Sequence, residues 1–451
     1  MESGLIAVIV VICVIIAAII SKKCAECMIV GSIVASIICF GPNFASEWVT
    51  SLQNCLADNV WVVLVCGLFG SLIALLQASR GTLGFQKIVT KLCNSDRKTL
   101  LTTVVMGILI FVDDYLNVMT IGVCMKKTYD DRKLPRESLA YILDSTGAPV
   151  CVLLPFSTWA AFYASLFYEQ ESVAALGYST AMSTYIHAIP YMLYPIFALI
   201  IVFLFAMGVM PKLGAMKKAY KRVETTGKVY SDASAKYNHD EYQGYEQSGK
   251  LMDFLIPMIV MIAVCLITSD VLVAVFIAII VCAFLYIPRK VVPASDFFNV
   301  LVKGFADMLS ILMLLVCSFV LSDMLDNLGM TEYIIETAEP FLTANIFPVV
   351  IFVIVAALCF CTGSLWGLSA IVTPIVFPLG AALGANPLLI MAAVVSGATF
   401  GSHACFYTDC TLLSSMSACI DNMEHALSQF PYVLIGAILS AVGFGILGFV
   451  V

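Results

Sequence analysis

The chain has 451 residues, 61% of them hydrophobic and 12% charged, with a formal net charge of −7. So few charged side chains cannot coat a globular surface around that much apolar matter, which excludes a water-soluble globular fold and implies lipid as the solvent. The 23 Lys and Arg form no dense stripe, which sets nucleic acid aside as a partner.

In chain order, apolar runs fall at about 4–20, 28–40, 59–78, 99–125, 137–168 and 183–210. The first resembles a signal-peptide core, but no base precedes it and Lys22-Lys23 follow, so it reads as the first span. A polar stretch at 211–250 reads as a cytoplasmic linker, loose over 223–250, and the pattern then starts again. The second series lies at about 252–268, 271–287, 305–324, 346–380, 387–416 and 432–451. Each half holds three plain runs, two long interrupted runs and a closing run, the mark of a repeat-built transporter with discontinuous helices in matched places. Amphipathic segments Phe85–Leu92 and Thr331–Phe341 precede the first interrupted run of each half and are expected at the membrane interface. The 17 cysteines are scattered singly through apolar runs, as at Cys66, Cys151 and Cys317, and read as small core residues.

Basic residues set the expected topology, because short loops rich in Lys and Arg stay in the cytoplasm. With the N-terminus outside, the base-free loops 41–58 and 325–345 are outside, and all the Lys and Arg fall inside. The run 99–125 lies between two inside loops, one with Arg97 and Lys98 and one with Lys126, Lys127, Arg132, Lys133 and Arg136, so it is expected to enter and return. The predicted fold is an all-α polytopic membrane protein of two inverted-topology repeats, residues 1–210 and 251–451, in a bacterial plasma membrane with both termini outside. Each repeat has about five spans, one re-entrant hairpin (99–125 and 346–380) and one broken span (137–168 and 387–416). A hairpin arm of about a dozen residues reaches ~18 Å into a core ~30 Å thick, which brings both tips near the midplane.

The chemistry-bearing residues cluster in these interrupted runs. The first tip carries Asp113-Asp114-Tyr115 and Asn117, and two buried carboxylates there match a hard cation such as Na+, with protonation in competition. The first broken span adds Asp144, Ser145 and Thr146, followed by Gly147 and Pro149, which free backbone carbonyls. The second tip has Thr362, Ser364 and Trp366 but no acid, and the second broken span has His403, Thr408 and Asp409. Asp113, Asp114, Asp144 and Asp409 are the candidate ion and proton sites. Asn117, Ser145, Thr146, Thr362, Ser364, His403 and Thr408 are candidate supporting ligands. Tyr115, Trp159, Trp366, Phe406 and Tyr407 could line a solute pocket. His403 reads equally as a titrating group or as a structural imidazole bonded to a hydroxyl. No cofactor is called for beyond Na+ as a transported ion, and no Walker-type loop is present for nucleotide drive.

Phe111-Val112-Asp113-Asp114-Tyr115, the run from Leu139 to Pro149, Thr362-Gly363-Ser364-Leu365-Trp366-Gly367, and Thr411 to Ser415 are similar to motifs of the NhaC-type sodium/proton antiporters. The resemblance covers most of the chain and implies alternating access by a transport domain of both hairpins and both broken spans. It allows a homodimer through the remaining spans, although no motif marks one. Where that family commonly has an acid before the His, this chain has Ser402, and Cys405-Phe406 replaces a Ser-Pro pair. Relatives are thought to carry amino acids or organic acids, so coupled uptake of such a solute is the alternative. An intramembrane aspartyl hydrolase using Asp113 or Asp114 with Asp409 is a remote one.

Overall fold

The computed structural model describes residues 2–21, 23–58, 60–81, 84, 92–237, 250–268, 270–330, 333, 342–362, 365–406 and 408–451. The described elements are all helical, and their outer faces present large apolar side chains such as Ile12, Phe276, Phe284 and Phe449 to the surroundings, as a lipid-facing surface requires. By length and apolarity four described helices suffice to cross a membrane, and six if each of two bent pairs is one span.

The run 99–125 is a hairpin of helices Asp96–Leu109 and Asp114–Asp131, and 346–380 is one of Phe347–Thr362 and Leu365–Ala382. Local chemistry explains the first. Ser95 caps its first arm by accepting the Lys98 N–H, and Asp113 caps its second. The first broken run consists of Arg136–Thr146, Ala148–Leu153 and Thr158–Tyr168, with a 44° bend at residues 154–157. Pro155 offers no N–H at that break, and Ser157 repairs both ends: its hydroxyl donates to the Cys151 carbonyl at 2.6 Å and accepts the Ala160 N–H at 3.0 Å. The second broken run divides into Pro387–Ala404 and Asp409–Ala418, with Asn386 and Thr408 as caps.

Three features differ from the sequence expectation. The run 183–210 is not one straight helix but Ala181–Tyr191 followed by Leu193–Ala206, bent by 56°, and Pro190 withdraws an N–H next to the bend. The loop 41–58 contains an amphipathic helix, Phe44–Asp58, and a second amphipathic helix, Ala294–Asp307, lies in the second half. The linker is not loose over 223–237: Gly214–Thr226 packs on the closing helix Asn422–Val450, and Arg222 grips Glu137 through two N–H groups at 2.8 and 3.0 Å. Residues 238–249 lie outside the described residues, as do nearly all of Phe85–Leu92 and Thr331–Phe341.

The two halves pack reciprocally. Cys24–Phe40 and Phe44–Asp58 lie on Leu309–Asn327, while Val271–Tyr286 and Ala294–Asp307 lie on Val60–Ser79. The last of these crossings is very close. A side chain on Gly70 would meet the Gly304 carbonyl, and one on Gly304 would meet the Gly70 carbonyl, so only glycine fits either place.

Candidate ion-binding site

Asp113 accepts the Leu116 N–H at 3.0 Å, so its carboxylate sits at the positive end of the second hairpin arm, which offsets part of the cost of burial. Asp113 and Asp114 are 7% and 3% exposed. Asp114 is held from both broken runs: Trp159 Nε1–H donates to Oδ1 at 3.1 Å and the Cys410 thiol donates to Oδ2 at 3.1 Å. The Tyr115 hydroxyl donates to Asp409 Oδ2 at 2.6 Å, and the Thr158 N–H donates to the Val112 carbonyl at 3.2 Å. The first turns of three helices, beginning at Asp114, Thr158 and Asp409, therefore meet around these carboxylates. Broken helices whose N-termini converge at one buried place are how membrane transporters build ion and solute sites.

Asn117 brackets the tip. Its amide N–H groups reach the carbonyls of Gly107, Ile110 and Thr146 at 2.6, 2.9 and 3.1 Å, tying both hairpin arms to the first broken run and leaving Oδ1 without a protein donor. Gly107 is needed for that approach, because a Cβ there would strike the Thr146 side chain. The Thr146 hydroxyl itself bonds back to the Ile142 carbonyl.

Asp144 has a different set of partners. Its Oδ2 accepts from Thr411 Oγ1 at 3.2 Å, His425 Nε2 at 3.0 Å and Gln429 Nε2 at 2.7 Å. Ser145 beside it contacts His403 Nε2 at 3.2 Å, and His403 Nδ1 contacts the Tyr194 hydroxyl at 2.8 Å. His403 is thus a buried bridge from the second half to Ser145 and Tyr194 of the first. Thr408 caps the second helix of its broken run by accepting the Thr411 N–H at 3.4 Å, while its hydroxyl donates to the Ser402 carbonyl at 2.9 Å.

Some expectations need correction. Asp409 is exposed rather than buried, although Tyr115 holds it beside the tip. The aromatic set divides: Trp159 and Trp366 pack at a tilt of 42° with ring centroids 4.3 Å apart next to Asp114, whereas Phe406 packs on Phe360 and Phe430. The Thr362 side chain, Ser364 and Tyr407 lie outside the described residues. Sequence reasoning missed Tyr194, Cys410, Thr411, His425 and Gln429. A signal existed for the last two: spaced four apart, they share one face at the start of a helix that the hydropathy pattern began only at 432. Among the described residues no three His, Cys, Asp or Glu side chains converge as a metal cluster, so amide, hydroxyl and carbonyl oxygens would have to complete any cation site.

The chain is similar to an uncharacterised protein of Haemophilus influenzae, 24% identical over 423 residues, which cover 87% of this chain and 79% of the relative. Its fold is similar to that of the Alcanivorax borkumensis YdaH transporter, with a TM-score of 0.64 at 12% identity, covering 91% of this chain and 90% of the other. It is also similar to MtrF of Neisseria gonorrhoeae, described as illuminating a class of antimetabolite efflux pumps, with a TM-score of 0.62 at 13% identity over 91% and 84% of the two chains. Residues 150–449 match the Na+/H+ antiporter family, and with the converging broken helices this makes the chain a membrane transporter belonging to that family.

Proposed function

We propose that this transporter exchanges Na+ for H+ by alternating access, the two ions competing at Asp113 and Asp114. The observation that carries the reading is the adjacent pair of buried carboxylates at the hairpin turn, gripped from both broken runs by Trp159 and Cys410. Two neighbouring buried acids cannot both stay ionised without a positive partner, and either a cation or a proton supplies it. Proton movement in proteoliposomes, followed with an internal pH dye while Na+, Li+ or K+ is added outside, tests it. A pH change selective for Na+ or Li+ and absent from Asp114→Asn supports antiport, and silence from folded protein sinks it.

The moving part in this reading comprises both hairpins and both broken runs, carried by two inverted repeats with both termini outside, in a bacterial plasma membrane. The reciprocal packing of Cys24–Phe40 on Leu309–Asn327 and of Val271–Tyr286 on Val60–Ser79 supports a duplicated scaffold. The linker 211–250 is then cytoplasmic, and the ion pairs Arg132–Asp96, Arg222–Glu137 and Arg289–Asp253 belong to the same side.

One observation favours coupled transport of an organic solute instead. The tilted Trp159–Trp366 pair stands beside Asp114, and Trp366, which is partly exposed, places an apolar ring near charge, a combination that suits an amino acid or a small organic acid. Uptake of a labelled solute that depends on Na+ and fails in Trp366→Ala would establish this second reading.

A further inference from the structure

Asp144 poses an electrostatic problem that the hairpin-tip acids do not. Asp113 and Asp114 stand at the start of a helix, the positive end of its dipole, whereas Asp144 stands in the last turn of Arg136–Thr146, the negative end. A second negative helix end adjoins it, because Gln429 Nε2 bridges Asp144 Oδ2 at 2.7 Å and the carbonyl of His403, in the last turn of Pro387–Ala404, at 2.8 Å. Asp144, His425 and Gln429 are 1%, 0% and 1% exposed, so bulk water does not screen this charge.

The hydrogen bonds leave acceptors over. All three donors to Asp144 reach Oδ2, and Oδ1 has no protein donor. The Gln429 amide is oriented by two neighbours that are both acceptors, so its NH2 must face them, and Oε1 is left without a protein donor. His425 Nδ1 likewise has no hydrogen-bond partner. A carboxylate oxygen and an amide oxygen, both acceptors without a protein donor, thus gather at two negative helix ends. A small cation held by these two oxygens supplies a positive charge that the His425 ring, 3.0 Å from Oδ2, supplies only when protonated.

We propose that Asp144 Oδ1 and Gln429 Oε1 form a second cation site, separate from the hairpin tip, that takes one small monovalent ion such as Na+. The proposal rests on the reading of the hairpin tip as a cation site and extends it. Consecutive residues join the two places: Cys410 bonds Asp114 and Thr411 bonds Asp144, so the first turn of Asp409–Ala418 feels the occupancy of both. Asn117 Oδ1 at the tip and Gln429 Oε1 here are equivalent devices, each the free oxygen of an amide whose nitrogen satisfies carbonyls at helix C-termini.

Binding of radioactive sodium to the purified full-length protein in detergent tests this, with thermal shift and monodisperse elution as controls for folding. The wild-type chain is expected to bind two Na+ at saturation, Asp114→Asn one, and Gln429→Leu one. Gln429→Met, closer in shape, removes the amide oxygen again and should also bind one, while Gln429→Glu keeps an oxygen there and should bind two. Two ions in the folded Leu or Met variant would overturn the second site. So would a single ion in the wild-type chain that only Asp114→Asn removes, which leaves the hairpin-tip reading intact and assigns the neutralising charge to His425. A folded wild-type chain that binds no Na+ overturns both.

Discussion

At the scale of single residues, the acids differ in what surrounds them more than in their depth. Asp114 depends on two side-chain donors, and the indole of Trp159 does double duty by also packing at a tilt on Trp366. Trp159→Phe keeps an aromatic ring and removes the N–H, which leaves a buried carboxylate short of a donor. The expected cost is about 1–3 kcal/mol of stability, read as a lower Tm in detergent, and an unchanged Tm would show that the bond contributes nothing. Trp159→Ala also empties a fully enclosed place, with an expected loss of about 3–5 kcal/mol. The pair Asp113-Asp114 stands out in the sequence as two adjacent acids in an apolar run, and both are buried. Asp144 is legible for the same reason. Its partners were not, since Thr411, His425 and Gln429 lie 267, 281 and 285 positions away and only the tertiary fold brings them to it.

At the scale of elements, helix ends and crossings decide the architecture. The bidentate Arg222–Glu137 pair docks the linker helix Gly214–Thr226 on the start of the first broken run, and the Glu137 side chain is only 4% exposed. Arg222→Ala strands that carboxylate and is expected to destabilise by about 3–5 kcal/mol. Arg222→Lys should recover only part, because a single ammonium cannot match both oxygens. Thermal unfolding of the two variants distinguishes this from a loose linker, for which neither change would matter. The Gly70–Gly304 crossing makes a second expectation. Gly304→Ala forces the two helices apart at a backbone contact, at a cost of about 1–3 kcal/mol, whereas Gly445→Ala, which has open space, should be silent. Breaks at Gly147 and Pro155 were visible in the sequence because both residues act locally. The bend between Ala181–Tyr191 and Leu193–Ala206 was not, although Pro190 was there to be seen, because the run stays apolar throughout.

For the whole molecule, the central expectation is that the first hairpin enters and leaves on one side. Single cysteines at Asn94 and Asp131, both exposed and flanking the hairpin, would be labelled from the same side of an oriented vesicle in a background stripped of accessible native cysteines. Labelling from opposite sides would turn the hairpin into a crossing and undo the inverted count.

Composition alone determined that this chain belongs in lipid, because no arrangement of 12% charged residues could shield 61% hydrophobic ones from water. Sequence also marked the helix breaks in the runs 99–125, 137–168, 346–380 and 387–416 and the adjacent acids Asp113 and Asp114, since each is written in residues adjacent along the chain. Tertiary structure decided everything that depends on distant partners. It set Asp144 among donors from the second half, exposed Asp409 and separated Phe406 from the tryptophan pair. It also docked the linker that its polarity had suggested was free. The physical reason is the same in each case. A buried charge is settled by the groups around it in space, and hydropathy along the chain carries no record of which groups those are.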